Sequence, residues 1–393
     1  MTRNRFVFFT VAFLALLWAV MSNQEQNRIS SEAVIRSCVA ADLLDGLVTG
    51  RQGFVGSLRW SPLPTLLVLP MMPIPELART GFAACVVAAF AVACLATFLN
   101  NWWTSYGLAR WARMLLLLAY LTAPATLRSI VSGTSAALFV FFIVTSACFL
   151  IHWLETLKLR SLAYLAILAS LAVVTRYQAI FFGVGALAIL IVHLVLEREK
   201  EAYSEGTLIV FLAPFLYVCG LWVAANWLIM GEPFFFMRGL LPSRLEGVTL
   251  GEILAEGCEW SECILPLALA MLAWAMRHVP SLRLASPFAS NSAASAVALL
   301  ILLVSALLRP NAAASRPPDD EIASVINYIE KIHPYDKMIL SGYCGYEVLK
   351  DVETPERYIH TLSLYLEKIY KETKGQRLYL VVPRPRGWYR WED

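Results

Sequence analysis

The sequence predicts a polytopic α-helical membrane protein of about nine transmembrane helices, with a small C-terminal α/β domain outside the membrane. Three observations carry that expectation. The 393-residue chain is 59% hydrophobic and only 16% charged, against about 25% charged residues in soluble globular proteins. Its charge is unevenly placed, because residues 309–393 hold 13 of the 32 Lys and Arg and 13 of the 29 Asp and Glu. Apolar runs recur through the first 308 positions. These features exclude a soluble cytosolic enzyme, a secreted protein and a disordered scaffold. The net charge of +3 is uninformative for a membrane protein, and no basic tract points to nucleic acid as a partner.

The first apolar run, 6–21, follows Arg3 and Arg5 as a signal peptide would. No small-x-small cleavage site precedes Ser22-Asn23-Gln24-Glu25, so an uncleaved anchor is expected. The stretch 62–74 carries too many prolines for an ordinary helix and reads as a half-inserted or re-entrant element. Further runs lie at 81–99, 114–126, 134–152, 161–175, 178–196, 207–229, 263–276 and 293–308. Several fall short of the ~20 residues that cross a hydrocarbon core, a deficit that snorkelling Arg and interfacial Trp residues reduce.

Orientation follows from the short loops. With the N-terminus inside, the inner segments carry Arg3 and Arg5, Arg110 and Arg113, Lys158 and Arg160, Arg198 and Lys200, then Arg277 and Arg283. The outer short loops carry single arginines, Arg128 and Arg176. This asymmetry obeys the positive-inside rule. The division is therefore a membrane domain over 1–308, with outer loops 22–61 and 230–262, and an extracytoplasmic domain over 309–393. The expected location is the plasma (inner) membrane.

In the tail, Arg309-Pro310 and Arg316-Pro317-Pro318 mark a linker. Asp319-Asp320-Glu321 favours a helix N-terminus, with Ile322, Val325, Ile326 and Ile329 at helical spacing behind it. Residues 337–342 read as a strand and turn, 360–373 as a second amphipathic helix, and 378–382 as a strand stopped by Pro383. Alternating helices and strands predict an α/β layer. It carries no phosphate-binding glycine loop and no nucleophile elbow.

The candidate chemistry sits in the first outer segment. Ile35, Val39 and Leu43, with Ala40, Leu44 and Leu47, form an apolar stripe expected of a helix lying on the membrane surface. Its acids are Glu32, Asp42 and Asp45. Glu32 and Arg36 stand four apart, the spacing of an ordinary exposed ion pair. Asp42 and Asp45 stand three apart and share a face, which is equally the pattern of a solvated surface. The acids of 230–262 are equally consistent with an acceptor groove and with a solvated helical face. His152 and His193, at apolar span ends, read as packed residues, and no spacing calls for a metal. Among the eight cysteines, Cys258 and Cys263 could close a short disulfide loop, while several others lie in apolar runs.

The order of elements narrows this reading. A first span is followed by Ser31-Glu32-Ala33, Ala41-Asp42-Leu43-Leu44-Asp45-Gly46 and Trp60-Ser61-Pro62-Leu63. Later come Val174-Thr175-Arg176-Tyr177 at a span end and Tyr379-Leu380-Val381-Val382-Pro383-Arg384-Pro385 in the tail. Together they resemble the GT-C superfamily of membrane glycosyltransferases, in its dolichyl-phosphate-mannose mannosyltransferase-like and aminoarabinose transferase-like branch. The resemblance implies transfer of a sugar from a polyprenyl-phosphate-linked donor, serving as co-substrate, to a glycan, lipid or protein acceptor on the outer face. No other cofactor is firmly implied. It further implies an acidic base just after the first span, where the family's pair is Asp-Glu or Asp-Asp and this chain has Ser31-Glu32. Either Glu32 suffices, or Asp42 or Asp45 takes the role, or the chain has the fold without the activity and acts as a partner or assembly subunit. Arg176, Arg128 or Arg59 would meet the donor phosphate. A transporter fits less well, since neither internal repeats nor mid-membrane charges stand out.

Overall fold

A computed structural model describes residues 2–22, 29–55, 61–74, 77, 80–196 and 201–234, the single positions 268, 328 and 331, and the segments 337–341, 358–361 and 378–381. Helices dominate the described residues. In chain order they are α1 (Thr2–Ser22), α2 (Ser31–Leu44), α3 (Val48–Val55), α4 (Pro62–Val68), α5 (Phe82–Ser105), α6 (Arg110–Thr122), α7 (Pro124–Ser132), α8 (Ala136–Thr156), α9 (Leu159–Val173), α10 (Ala179–Leu196) and α11 (Glu201–Met230).

Three of these helices are long and apolar enough to cross a membrane: Phe82–Ser105, Ala136–Thr156 and Glu205–Met230. A fourth span is formed if α6 and α7 count as one, although they meet at a bend of 51°. The bend has a local cause. Ala123 precedes Pro124 and is extended (φ −58, ψ 132), because the proline ring disfavours helical geometry in the residue before it. The apolar helices make this a membrane-associated protein. The expected runs at 6–21, 161–175 and 178–196 form shorter apolar helices, Phe6–Met21, Leu159–Val173 and Ala179–Val195. Those at 263–276 and 293–308 lie outside the described residues, except that Ala268 is helical.

The chain divides into two compact units. The first comprises residues 1–28, 85–220 and 249–311. Its core joins α8 through α11 around Leu150, Trp153, Leu162, Leu165, Ala186, Leu190 and Phe211. Helix α5 presents Ala88, Ala89, Ala91, Ala93 and Ala96 as buried positions; small side chains of this kind let helix backbones approach closely in lipid. Phe9 and Phe13 of α1 meet Phe90 edge-on, at 5.4 and 6.1 Å between centroids. In the part of α11 that belongs to this unit, Ile209, Leu216 and Tyr217 are exposed, a surface that suits lipid and not water.

The second unit comprises residues 29–84, 221–248 and 312–393. Helices α2, α3 and α4 pack on one another there, and Phe54 meets Trp222 edge-on at 5.9 Å. The prolines of 62–74 do not prevent a helix: Pro62 and Pro64 fall in the first turn of α4, where the amides they lack have no helical acceptor to lose. Pro70 then sits in a closing 3₁₀ turn, Leu69–Met71.

This unit also holds three parallel strands, β1 (Lys337–Ser341), β2 (Tyr358–Thr361) and β3 (Leu378–Val381), in the order β2-β1-β3. Ile339 pairs with Ile359 on one side and Leu380 on the other. Strands β1 and β3 lie in the two segments read as strands from sequence. The helix expected over 360–373 is corrected at its start, since His360 and Thr361 are strand residues. Tyr358, Ile359 and Thr361 are residue types that favour strands, and pairing to β1 makes the segment a strand. Tyr328 and Lys331 are helical; the rest of the expected first helix lies outside the described residues.

Candidate active site

The site grows from the first turn of α2. Ser30 caps it, its hydroxyl accepting the Ala33 amide at 3.2 Å and its carbonyl accepting the Ala33 and Val34 amides. Glu32 follows in that first turn, where the helix dipole favours a carboxylate. One turn on, the Arg36 guanidinium donates from Nε to Glu32 Oε1 at 2.9 Å. Its Nη1 donates to the Ser61 carbonyl at 2.8 Å and to Thr65 Oγ1 at 3.3 Å.

The i, i+4 pair read from sequence is therefore formed, but it is not an ordinary exposed one. Arg36 is only 3% exposed and Glu32 19%. Taking a guanidinium out of water costs several kcal/mol unless its donors are matched. Here two nitrogens reach two separate segments, the first turn of α2 and the entry to α4, so the charge is matched where it is buried.

The surface helix expected over 31–47 is also corrected. A helix with one face on a membrane leaves its opposite face bare, yet Ala33, Val34, Ile35, Arg36 and Ser37 are all buried. Five consecutive residues at 100° each cover more than a full turn. The first half of α2 is thus enclosed by protein. Ile35 and Val39 pack with Cys38 and Phe54, whereas Leu44 and Leu47, at the far end, are exposed.

Two glycines make this enclosure possible. Gly50 of α3 lies so close to α2 that an added Cβ would overlap the backbone of Asp42 and Leu43. Gly81 has φ +74, and a Cβ there would sit 2.9 Å from the Val34 nitrogen and 3.0 Å from the Ala33 carbonyl carbon. It meets both demands, positive φ and close approach, that a side chain would violate.

The two predicted aspartates of α2 lie away from its first turn. Asp42 is half-buried near the end of α2, and Asp45 is exposed as its C-cap residue, its amide donating to the Ala41 carbonyl at 2.9 Å. Because α2 is unbroken over Ser31–Leu44, Glu32 and Asp42 are about 15 Å apart along its axis at 1.5 Å per residue. They do not share one reaction centre, and Asp45 lies further still.

In the first unit, Arg176 is half-buried between α9 and α10. Its Nε donates to Ser135 Oγ at 3.0 Å, and its guanidinium carbon lies 6.0 Å from the Phe139 ring centroid. Ser135 is the N-cap residue of α8. Arg128 is exposed on α7. Arg59 lies outside the described residues, as do Cys258, Cys263 and the acids Glu246, Glu252, Glu256, Glu259 and Glu262.

His152 and His193 are packing residues, set edge-on against Trp102 at 6.2 Å and Trp153 at 5.3 Å. Among the described residues, no three His, Cys, Asp or Glu side chains gather as a metal site would require.

Arg36 is the residue whose importance spacing alone understates. Its signal is its setting, a lone arginine inside Ala33-Val34-Ile35-Arg36-Ser37-Cys38-Val39-Ala40. A charge in such a run is buried if the run is. No protein-family model, no curated protein and no solved structure matches this chain.

Proposed function

We propose that this chain is an integral membrane glycosyltransferase that moves a sugar from a polyprenyl-phosphate donor to an acceptor on the outer face of the membrane. The observation that carries this reading is the Glu32 carboxylate, held in place by Arg36 against the Ser61 carbonyl. This contact joins two of the segments on which the family resemblance rests, Ser31-Glu32 and Ser61-Pro62-Leu63. A transfer of this kind needs a carboxylate within reach of the acceptor hydroxyl to take its proton as the glycosidic bond forms.

In this reading Glu32 is the base and Arg176 meets the donor phosphate. Arg176 sits at the N-terminus of α8, the positive end of that helix dipole. A cation there gains from an anion that neutralises both. The full arrangement proposed is nine spans in the inner membrane, the N-terminus inside, and residues 309–393 as an extracytoplasmic α/β domain.

A second reading is favoured by the same ion pair. Glu32 already serves Arg36, a structural task that needs no chemistry, so the chain would be a non-catalytic partner or assembly subunit. Purified full-length protein, given labelled polyprenyl-phosphate hexoses and pentoses with total membrane extract as acceptor, separates the two. The enzyme reading expects turnover by the wild type that Glu32→Gln lowers by about 10²–10⁴. Wild-type protein that turns over none of these donors, in an extract that supports transfer by other enzymes, supports the partner reading.

A further inference from the structure

We infer that Arg36 is a positioning residue, whose guanidinium sets the place of the Glu32 carboxylate relative to the Ser61–Thr65 segment. The inference rests on the reading of Glu32 as the base and adds a second residue to its machinery. A carboxylate on an open helix surface would be carried by a flexible side chain with several rotamers. Glu32 is instead fastened at Oε1 by Arg36 Nε, and the same guanidinium is fastened at Nη1 to the Ser61 carbonyl and Thr65 hydroxyl.

A guanidinium is a rigid plane, so the angle between its Nε and Nη1 donors is fixed. Glu32 is thereby held to the α4 entry, 29 residues along the chain, through one inflexible group. Lysine keeps the charge but offers a single ammonium on a flexible stem. It cannot reproduce both attachments with the same geometry. The arrangement predicts that Arg36→Lys disturbs the reaction step and leaves donor binding intact.

The test uses full-length protein in proteoliposomes and the same labelled donors. In Arg36→Lys, kcat should fall about 10²-fold, the order expected when a catalytic group is displaced by about 1 Å, with the donor KM unchanged. Thr65→Val, which removes one support and no charge, should lower kcat in the same sense by less. Adding Arg36→Lys to Glu32→Gln should cost nothing further, because residues acting as one unit are not additive.

A purely structural arginine gives a different pattern, in which the losses multiply in the Glu32→Gln background. That pattern, or wild-type kcat in Arg36→Lys while Glu32→Gln is inactive, overturns this inference alone. Full activity in Glu32→Gln leaves the transfer reaction standing but overturns the reading of Glu32 as its base, and this inference with it. If Arg36→Lys fails to fold, Thr65→Val decides, and an unchanged kcat there is the refuting result.

Discussion

Replacing Gly50 by alanine sets two physical effects against each other, and the structure decides which prevails. Helix propensity favours alanine over glycine by about 1 kcal/mol. Against this, the new Cβ would lie 2.7 Å from Leu43 Cα and closer still to the Leu43 nitrogen and the Asp42 carbonyl carbon. Ordinary contact begins at 3.4 Å, so Leu43 Cα alone requires α3 to move away from α2 by about 0.7 Å, the difference between those two distances, and the two nearer atoms require more. The neighbouring atoms are backbone and have no rotamer to yield. Overpacking of this kind costs about 1–3 kcal/mol, which offsets the propensity gain and leaves a net loss of up to about 2 kcal/mol. Melting followed by intrinsic tryptophan fluorescence in detergent reads it directly. Gly185→Ala and Gly220→Ala, where nothing lies within 4 Å of the added atom, are the controls and should melt at or above the wild type. Gly50→Ala melting with the controls would refute the close approach of α2 and α3.

The remaining predictions concern charge and topology. Arg176→Ala should raise the donor KM by removing a cation from the N-terminus of α8, whereas Arg128→Ala, exposed on α7, should leave it unchanged; steady-state kinetics with the labelled donors distinguish the two. A tag after Asp393 should be reached by an impermeant reagent from outside intact cells, and labelling only after the inner membrane is opened would reverse the topology.

The parts of the site that were legible in the sequence are the local ones. Glu32 and Arg36 pair because four residues make about one helical turn, whereas the apolar run 114–126 reads as continuous and is in fact broken at Ala123–Pro124. The burial of Arg36 was legible only as far as its apolar neighbours point to it. It depends on Ser61 and Thr65, 25 and 29 residues away, and on two glycines whose need appears only when their neighbours are known. The prolines of 62–74 announce an interrupted element but not its form, since their effect depends on whether they fall in a first turn, as Pro62 and Pro64 do, or later, as Pro70 does. At 360–361, the start of the helix expected over 360–373, helical spacing was overruled by pairing with β1, a partner about twenty residues upstream. Acid roles followed the same division: counting along α2 separates Glu32 from Asp42, but only an unbroken helix makes that separation real.

The central claim is that Glu32, and not Asp42 or Asp45, is the base of a sugar transfer from a lipid-linked donor. Its most direct test is donor turnover by purified wild type, Glu32→Gln, Asp42→Asn and Asp45→Asn, each checked to be folded by its melting curve. The account predicts that Glu32→Gln loses about 10²–10⁴ in kcat while both aspartate variants keep the wild-type rate. Full turnover in Glu32→Gln, with activity abolished in Asp42→Asn, would contradict it.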